Sequence, residues 1–435
     1  MAGASKSGRN PAREQVEVVL DADLFPDACR VGTLFYASAR GHGVFSFAYD
    51  RKWLNRPDAF QLDPDLQLHG SESYPSNAAG VFRTFVDSAP DRWGRLLMER
   101  REALLARVEK RPPRSLSDWD FLLGVHDHCR TGALRFRRNE SAPFLDDNRA
   151  LSAPPLASLR ELEAASLAIE EPDAPERALF SQWLSALMAP GSSLGGARPK
   201  ANFTDGDGSL WIAKFPSRED RRNIGAWEMV THALAQKAGI DVPQARLLKL
   251  GSRHRTFACR RFDRTESGRR RFFVSALTLL DRQDGQGGSY LDLAEFLSTR
   301  GSTRNRARDL RQLWTRVVFN ILVSNTDDHL RNHGFILEPD GWRLAPAYDV
   351  NPNVEKRDHV LAIDATDTTG DVDLALATAK LYGVKAAAAS RILKDVEQAV
   401  RSWRVQANAL GLPRSESESM AAAFKVSHSG GMASA

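Results

Sequence analysis

Three cysteines in 435 residues, Cys29, Cys129 and Cys259, lie far apart in the sequence and cannot form a disulfide framework, which points to a reducing compartment. Apolar runs long enough to cross a bilayer are missing too, and the basic stretch MAGASKSGRNPAR has no apolar core behind it. Neither secretion nor membrane spanning is therefore expected, and the expected location is the cytoplasm. A second His/Cys cluster is also lacking. His126 to Cys129 reads HDHC, but adjacent residues on a short loop rarely converge on one ion, so structural zinc is not expected. A net charge of +5 permits contact with anionic partners but, over this length, does not mark a dedicated nucleic-acid binder. With 42% hydrophobic and 26% charged residues, the chain is an ordinary globular one, long enough for two or three domains.

The patterning divides the chain in order. Residues 1–14 read as a flexible arm. Residues 15–140 form a β-rich subdomain, with strands predicted at 16–20, 31–35, 44–49 and 132–136 and helices at 90–110 and 116–123. Residues 141–176 are rich in Pro, Ala and acidic residues and read as a surface connection with one helix near 156–169. At Gly191 the sequence runs GSSLGGARPK, then a strand, a DGDG turn and the strand LWIAKF. A Gly-rich turn lets backbone N–H groups approach a phosphate, and Lys200 and Lys214 are cations available to neutralise it. An amphipathic helix over 223–239 carries Glu228, the candidate ion-pair partner of Lys214. Strands over 242–250 and 256–262 close this unit, 141–262. A helical unit follows over 263–412, and the Ser-, Gly- and Ala-rich residues 413–435 read as a disordered tail.

One stretch concentrates the chemistry. A helix with a single apolar stripe, Leu310, Leu313, Trp314, Val317, Val318, Ile321 and Leu322, leads into Asn-Thr-Asp-Asp-His-Leu-Arg-Asn at 325–332. A strand, an EPDG turn and a second strand follow, then AYDVN at 347–351. Asp327, Asn332 and Asp349 thus sit on either side of a hairpin. Taken singly, each is as well explained as a cap or turn residue. Taken together they match what phosphoryl transfer requires: a carboxylate to orient the attacking hydroxyl, and an Asn and a second Asp to hold Mg²⁺ on the phosphates. Tyr348 and Val350 flank Asp349, so the literal Asp-Phe-Gly motif of protein kinases is absent.

The segments SSLGGARPK, WIAKFP, RRFDR at 260–264, NTDDHLRN and LAPAYD, in this order, resemble the HipA family, bacterial serine/threonine kinases that act as toxins of two-gene toxin–antitoxin modules. The resemblance runs from about Val31 to Leu412. It implies an α+β, two-lobed protein-kinase-like fold, with a β-rich N-terminal lobe, an extra N-terminal subdomain and a mainly helical C-terminal lobe. By position, Asp327 resembles the catalytic Asp, Asn332 and Asp349 the Mg²⁺ ligands, and Lys214 the phosphate-binding Lys. His329 lies in the segment that contacts nucleotide. Gly195, Gly196, Ala197, Arg198, Pro199 and Lys200 resemble the phosphate-binding loop, and the backbone of Arg260, Arg261 and Phe262 the adenine-binding hinge. Ser193, or Ser192 beside it, matches a serine whose autophosphorylation ejects that loop.

The resemblance further implies ATP and Mg²⁺ as cofactors and a protein substrate, of which aminoacyl-tRNA synthetases are family examples. It also implies a HipB-like helix-turn-helix antitoxin, with operator DNA contacted through that complex. The alternatives are a small-molecule kinase of the aminoglycoside type, against which SSLGGARPK and RRFDR argue, and a catalytically silent co-repressor, against which the filled catalytic positions argue.

Overall fold

The computed structural model describes residues 13–39, 42–147, 153–171, 174, 179–188, 196 and 198–426. Alternation of apolar and polar residues builds the first layer. In strand β1 (Glu14–Leu20) Val16, Val18 and Leu20 are fully buried, and antiparallel pairing with β2 (Cys29–Ala39), β3 (His42–Tyr49) and β4 (Leu134–Arg137) gives a sheet of order β3-β2-β1-β4. Its core gathers Phe45, Phe47, Trp53, Phe82, Phe85 and Phe136, and Phe272 and Val274 from far along the chain close it.

A second antiparallel sheet, ordered β5-β6-β8-β7, is made by β5 (Lys200–Thr204), β6 (Leu210–Lys214), β7 (Ala245–Leu248) and β8 (Thr256–Arg260). Its central strands are buried on both faces, and the period of two decides what each face carries. Ala201, Phe203, Trp211, Ala213 and Ala258 pack against the helices Arg92–Val108, Leu159–Ile169 and Phe180–Met188. On the other face Ile212 stands opposite Cys259 and Lys214 opposite Phe257. The helix Ile224–Lys237 covers that face. A Cβ at Gly225 would lie 2.3 Å from the carbonyl oxygen of Arg255, so only glycine allows the first turn to approach this strand so closely.

Below the sheet the chain is helical. The amphipathic helix Arg306–Leu322 is buried along most of its length and packs with Tyr290–Arg300 and Ala386–Arg401 in the largest core. It ends at the 325–332 segment, and the hairpin Gly334–Glu338/Gly341–Leu344 follows as expected, extended by β9 (Phe273–Ser275). The tail expected from 413 departs from this reading. Arg414–Met420 is a helix, and Met420, Ala423 and Phe424 are buried. Their apolar side chains are spaced to pack, a signal masked by the surrounding Ser and Glu. No helix among the described residues is long and apolar enough to cross a membrane.

A buried charge cluster joins the first sheet's unit to the second. Asp263 accepts from Arg261 at 2.6 Å, from Arg264 at 2.7 Å and from the backbone N–H of Gly132 at 2.9 Å. Arg261 also donates to the carbonyl of Cys129 at 2.6 Å, and Arg270 to that of Asp127 at 2.5 Å. The HDHC stretch is thus a set of carbonyl acceptors for arginines. Burial lowers His128 to about 4 and raises the Cys129 thiol to about 11, leaving both neutral. Burial alone would raise Asp263, but Arg261 and Arg264 outweigh it and hold the carboxyl well below the usual range. A depressed carboxyl stabilises the fold above its unfolded pKa, and this contribution is lost as pH falls through the folded one. Asp263→Ala leaves two arginines buried without their anion. A loss of about 3–5 kcal/mol at pH 7 is expected in urea unfolding, narrowing towards pH 3.

Candidate active site

Between the second sheet and the helical unit lies a cleft, open to solvent, in which Lys214, Glu228, Asn332 and Asp349 converge among apolar side chains, the make-up of a small-molecule site. Ile212, Phe257 and Cys259 from the sheet, Val242 and Ala347 line it, and the segment Arg260 to Phe262 forms its rear edge. The Arg261 side chain is turned away into the charge cluster, so this segment meets the cleft mainly through its backbone and the Phe262 ring. Phe262 packs on Tyr348 at a centroid distance of 5.3 Å, and the Tyr348 hydroxyl donates to the carbonyl of Arg331 at 2.7 Å.

Lys214, Glu228 and Asp349 meet at the inner end. The Lys214 ammonium donates to Glu228 Oε1 at 2.5 Å and to Asp349 Oδ1 at 2.7 Å. Burial disfavours the charged lysine, but Asp349 and Glu228 outweigh it and hold Lys214 above the usual lysine range. For Asp349 burial is likewise overcome, here by Lys214, and the carboxyl falls to about 2. Burial of Glu228 wins over Lys214 and raises it. Asp349 has φ +58, the left-handed region that a non-glycine residue rarely occupies, and Asn351 Nδ2 donates to its Oδ1 at 3.2 Å.

The 325–332 segment separates two neighbouring carboxylates. Asp328 is buried, and its Oδ2 carries three contacts: the Tyr290 hydroxyl donates to it at 2.6 Å and Asn320 Nδ2 at 2.9 Å, with His333 Nε2 at 2.7 Å. Asp327 is exposed and is not among the residues that line the cleft; Lys356 Nζ donates to its Oδ1 at 3.1 Å. Asn332 lines the cleft, and its Nδ2 donates to the carbonyl of Asp327 at 3.4 Å. Among the described residues no group of three His, Cys, Asp or Glu side chains is placed to hold a metal ion; Asn332 and Asp349 share the cleft as a pair of oxygen-bearing side chains.

The Gly-rich loop is described only at Gly196 and from Arg198 onward; Ser192, Ser193, Gly195 and Ala197 lie outside the described residues. Its cations are turned to structural partners. Arg198 makes a two-pronged pair with Asp220 at 3.0 and 2.5 Å. Lys200 is buried and donates to Asp91 at 2.8 Å and to the Gly196 carbonyl at 3.3 Å, and the Pro199 carbonyl accepts from Phe215. His329 is not among the residues that line the cleft, and its Nδ1 is buried without a hydrogen-bond partner among the described residues. Lys356 and Asp91 were not legible as partners of site residues, because each lies in a stretch with no motif of its own and is brought in only by the fold.

Replacing Lys214 with Met strands two carboxylates. A folded acid with a raised pKa binds more protons than the unfolded chain, so the variant's stability falls as pH rises above about 4.5. The stability gap to the parent chain is expected to widen from pH 5 to pH 8, reaching about 3 kcal/mol, as read by urea unfolding at both pH values.

Comparison with known proteins accounts for most of this architecture. Residues 22–137 match the HipA N-terminal domain and residues 192–403 the HipA-like C-terminal domain. A Sinorhizobium fredii (strain NBRC 101917 / NGR234) protein named "Putative kinase Y4dM" is 30% identical over 34% of this chain and 38% of its own. The serine/threonine-protein kinase toxin HipA of Shewanella oneidensis is 25% identical over 37% of this chain and 43% of its own. The matched stretches thus span less than half the length of these two relatives. A solved Shewanella oneidensis MR-1 complex of HipA, HipB and operator DNA superposes with a TM-score of 0.61 at 18% identity, covering 94% of this chain and 95% of that one, which shows a shared fold. The fold is α+β and two-lobed, of the protein-kinase-like type, with an added N-terminal subdomain. One domain match takes in β2, β3 and β4 of the first sheet, the other both walls of the cleft, and the chain belongs to the HipA family.

Proposed function

We propose that the chain is an ATP- and Mg²⁺-dependent serine/threonine protein kinase of the HipA toxin type. The observation that carries this reading is the Lys214 ammonium bonded to both Glu228 and Asp349 at the inner end of a cleft edged by Arg260 to Phe262. A lysine fixed by a helical glutamate on one side and a carboxylate on the other is the arrangement that phosphoryl transfer uses to seat the phosphates of a nucleotide.

Each side chain then has a place in the reaction. The apolar lining and the 260–262 backbone hold the adenine, and Lys214 holds the phosphates. Asn332 and Asp349 fit Mg²⁺, a hard ion that keeps phosphate and water oxygens for most of its six positions and so needs few protein ligands. When bound, the ion neutralises charge on the phosphates. Asp327 orients the acceptor hydroxyl and takes its proton as that oxygen attacks the γ-phosphorus and the bond to ADP breaks. Its exposure suits a group that meets a second macromolecule, and Lys356 is its counter-charge until the acceptor arrives.

The remaining family properties follow as parts of the same proposal. The acceptor is a cytoplasmic protein, with an aminoacyl-tRNA synthetase as one class, and the chain itself at Ser193 or Ser192 is another. A HipB-like antitoxin neutralises it and carries it to operator DNA. A phosphate at Ser193 or Ser192 bears about −1.5 to −2 charges at neutral pH and cannot share a pocket with the phosphates of ATP, so the modified enzyme is inactive.

Label transfer from γ-labelled ATP, with nucleotide affinity measured in parallel, tests the assignment. Asp327→Ala is expected to keep ATP affinity and lose transfer by about 10²-fold or more, whereas Asp349→Ala loses Mg²⁺-dependent affinity itself. Near-normal transfer by Asp327→Ala overturns the role of that loop.

A further inference from the structure

The domain match ends at 403, yet the chain beyond it is folded against the helix that carries Glu228. Glu416, in the helix Arg414–Met420, places one carboxylate oxygen on the start of that helix. The backbone N–H of Asn223, its N-cap, donates to Glu416 Oε1 at 2.9 Å, and the Trp227 indole N–H donates to the same oxygen at 2.8 Å. An anion there also meets the positive end of the helix dipole. The Trp227 ring is 1% exposed and packs beside Trp403 at 6.2 Å and Phe424 at 6.1 Å, which stack on each other at 4.4 Å. Arg222, one residue before the N-cap, reaches Met420 Sδ at 3.4 Å.

The far end of the segment is tied to the other half of the site. The backbone N–H of Lys425 donates to the carbonyl of Leu322 at 2.8 Å, at the last residue of the helix that delivers Asp327 and Asn332. One stretch of chain thus touches both elements that bring catalytic candidates to the cleft. Trp227 and Glu228 are consecutive on a rigid helix, about 100° apart around its axis. Whatever fixes the direction of Trp227 fixes the direction of Glu228, and hence whether its carboxylate reaches Lys214.

We propose that the segment Trp403 to Val426 is a built-in brace that sets the rotation of the Glu228 helix, with Glu416 as the positioning residue that keeps Glu228 on Lys214. Its effect on phosphoryl transfer rests on the kinase reading above; its effect on Lys214 does not. Glu416 touches no substrate and acts through Trp227 and Asn223. Loss of its oxygen frees the first turn, Glu228 withdraws, and Lys214 is left with Asp349 as its remaining carboxylate partner.

The full chain is assayed in two ways. Labelling of Lys214 by acetic anhydride, located by mass spectrometry, reads the ammonium directly, since weaker pairing leaves more of it as free amine. Label transfer from γ-labelled ATP reads the consequence. Glu416→Ala is expected to raise Lys214 labelling about threefold or more and to lower kcat about tenfold. Glu416→Gln, which retains an acceptor oxygen, is expected to restore both. In a Glu228→Gln background, Glu416→Ala is expected to cause no further loss, because both changes act through one ion pair. Phe424→Leu, which loosens the stack without emptying it, carries the same test if Glu416→Ala does not fold. Parental Lys214 labelling in Glu416→Ala or, failing that, in Phe424→Leu overturns the brace, as does an equal further loss in the Glu228→Gln background. A parental chain that transfers no phosphate overturns the kinase reading while the labelling comparison still decides the brace.

Discussion

Everything at the cleft depends on one ammonium group. Lys214 belongs to a sheet, Glu228 to the helix that covers it and Asp349 to the lower unit, so the two short bonds at Lys214 Nζ join three elements at a point. Neither carboxylate is easily kept ionised there without the lysine, and the lysine is not easily kept charged without them. The arrangement therefore sets the distance between the two walls of the cleft as well as the charge inside it. The positive φ of Asp349 belongs to the same constraint, because it turns that carboxylate back towards the sheet.

A second constraint lies outside the cleft. The RRFDR segment supplies the backbone of the cleft's rear edge with its first three residues and the core of the buried charge cluster with Arg261, Asp263 and Arg264. The N-terminal subdomain is thereby held to the same few residues that shape the cleft. Asp91, which caps the helix Arg92–Val108 and holds Lys200, makes a second link of the same kind at the Gly-rich loop. The unit that precedes the two lobes is thus mechanically part of the site, although none of its described side chains lines the cleft.

Particular residues show how far the sequence could be read. The order helix, polar loop, hairpin, Asp was visible because a 3.6-residue apolar stripe gives way to two short strands around an EPDG turn, and local pattern alone dictates such elements. The pairing of Lys214 with Glu228 was legible as a candidate because a strand ending in Lys and an amphipathic helix bearing Glu follow each other closely. By contrast, the Asp-x-x-x-x-Asn spacing singles out Asp327, but nothing local shows that its neighbour Asp328 is buried against Tyr290, Asn320 and His333. Lys200 read as a phosphate cation because a lysine beside a glycine pair invites it, and its burial on Asp91, 109 residues away, carries no local signal.

By itself, then, the sequence determined the elements, the face on which each side chain lies and the set of residues with chemistry to offer, since periodicity and turn chemistry act over a few residues. What only the tertiary structure decided is which charges are spent on one another. Lys200 on Asp91, Arg198 on Asp220 and Glu416 on the helix of Glu228 are all choices between partners distant in sequence, settled by which surfaces pack together. Burial then fixes the outcome, because a charge removed from water must take the partner that the fold places beside it.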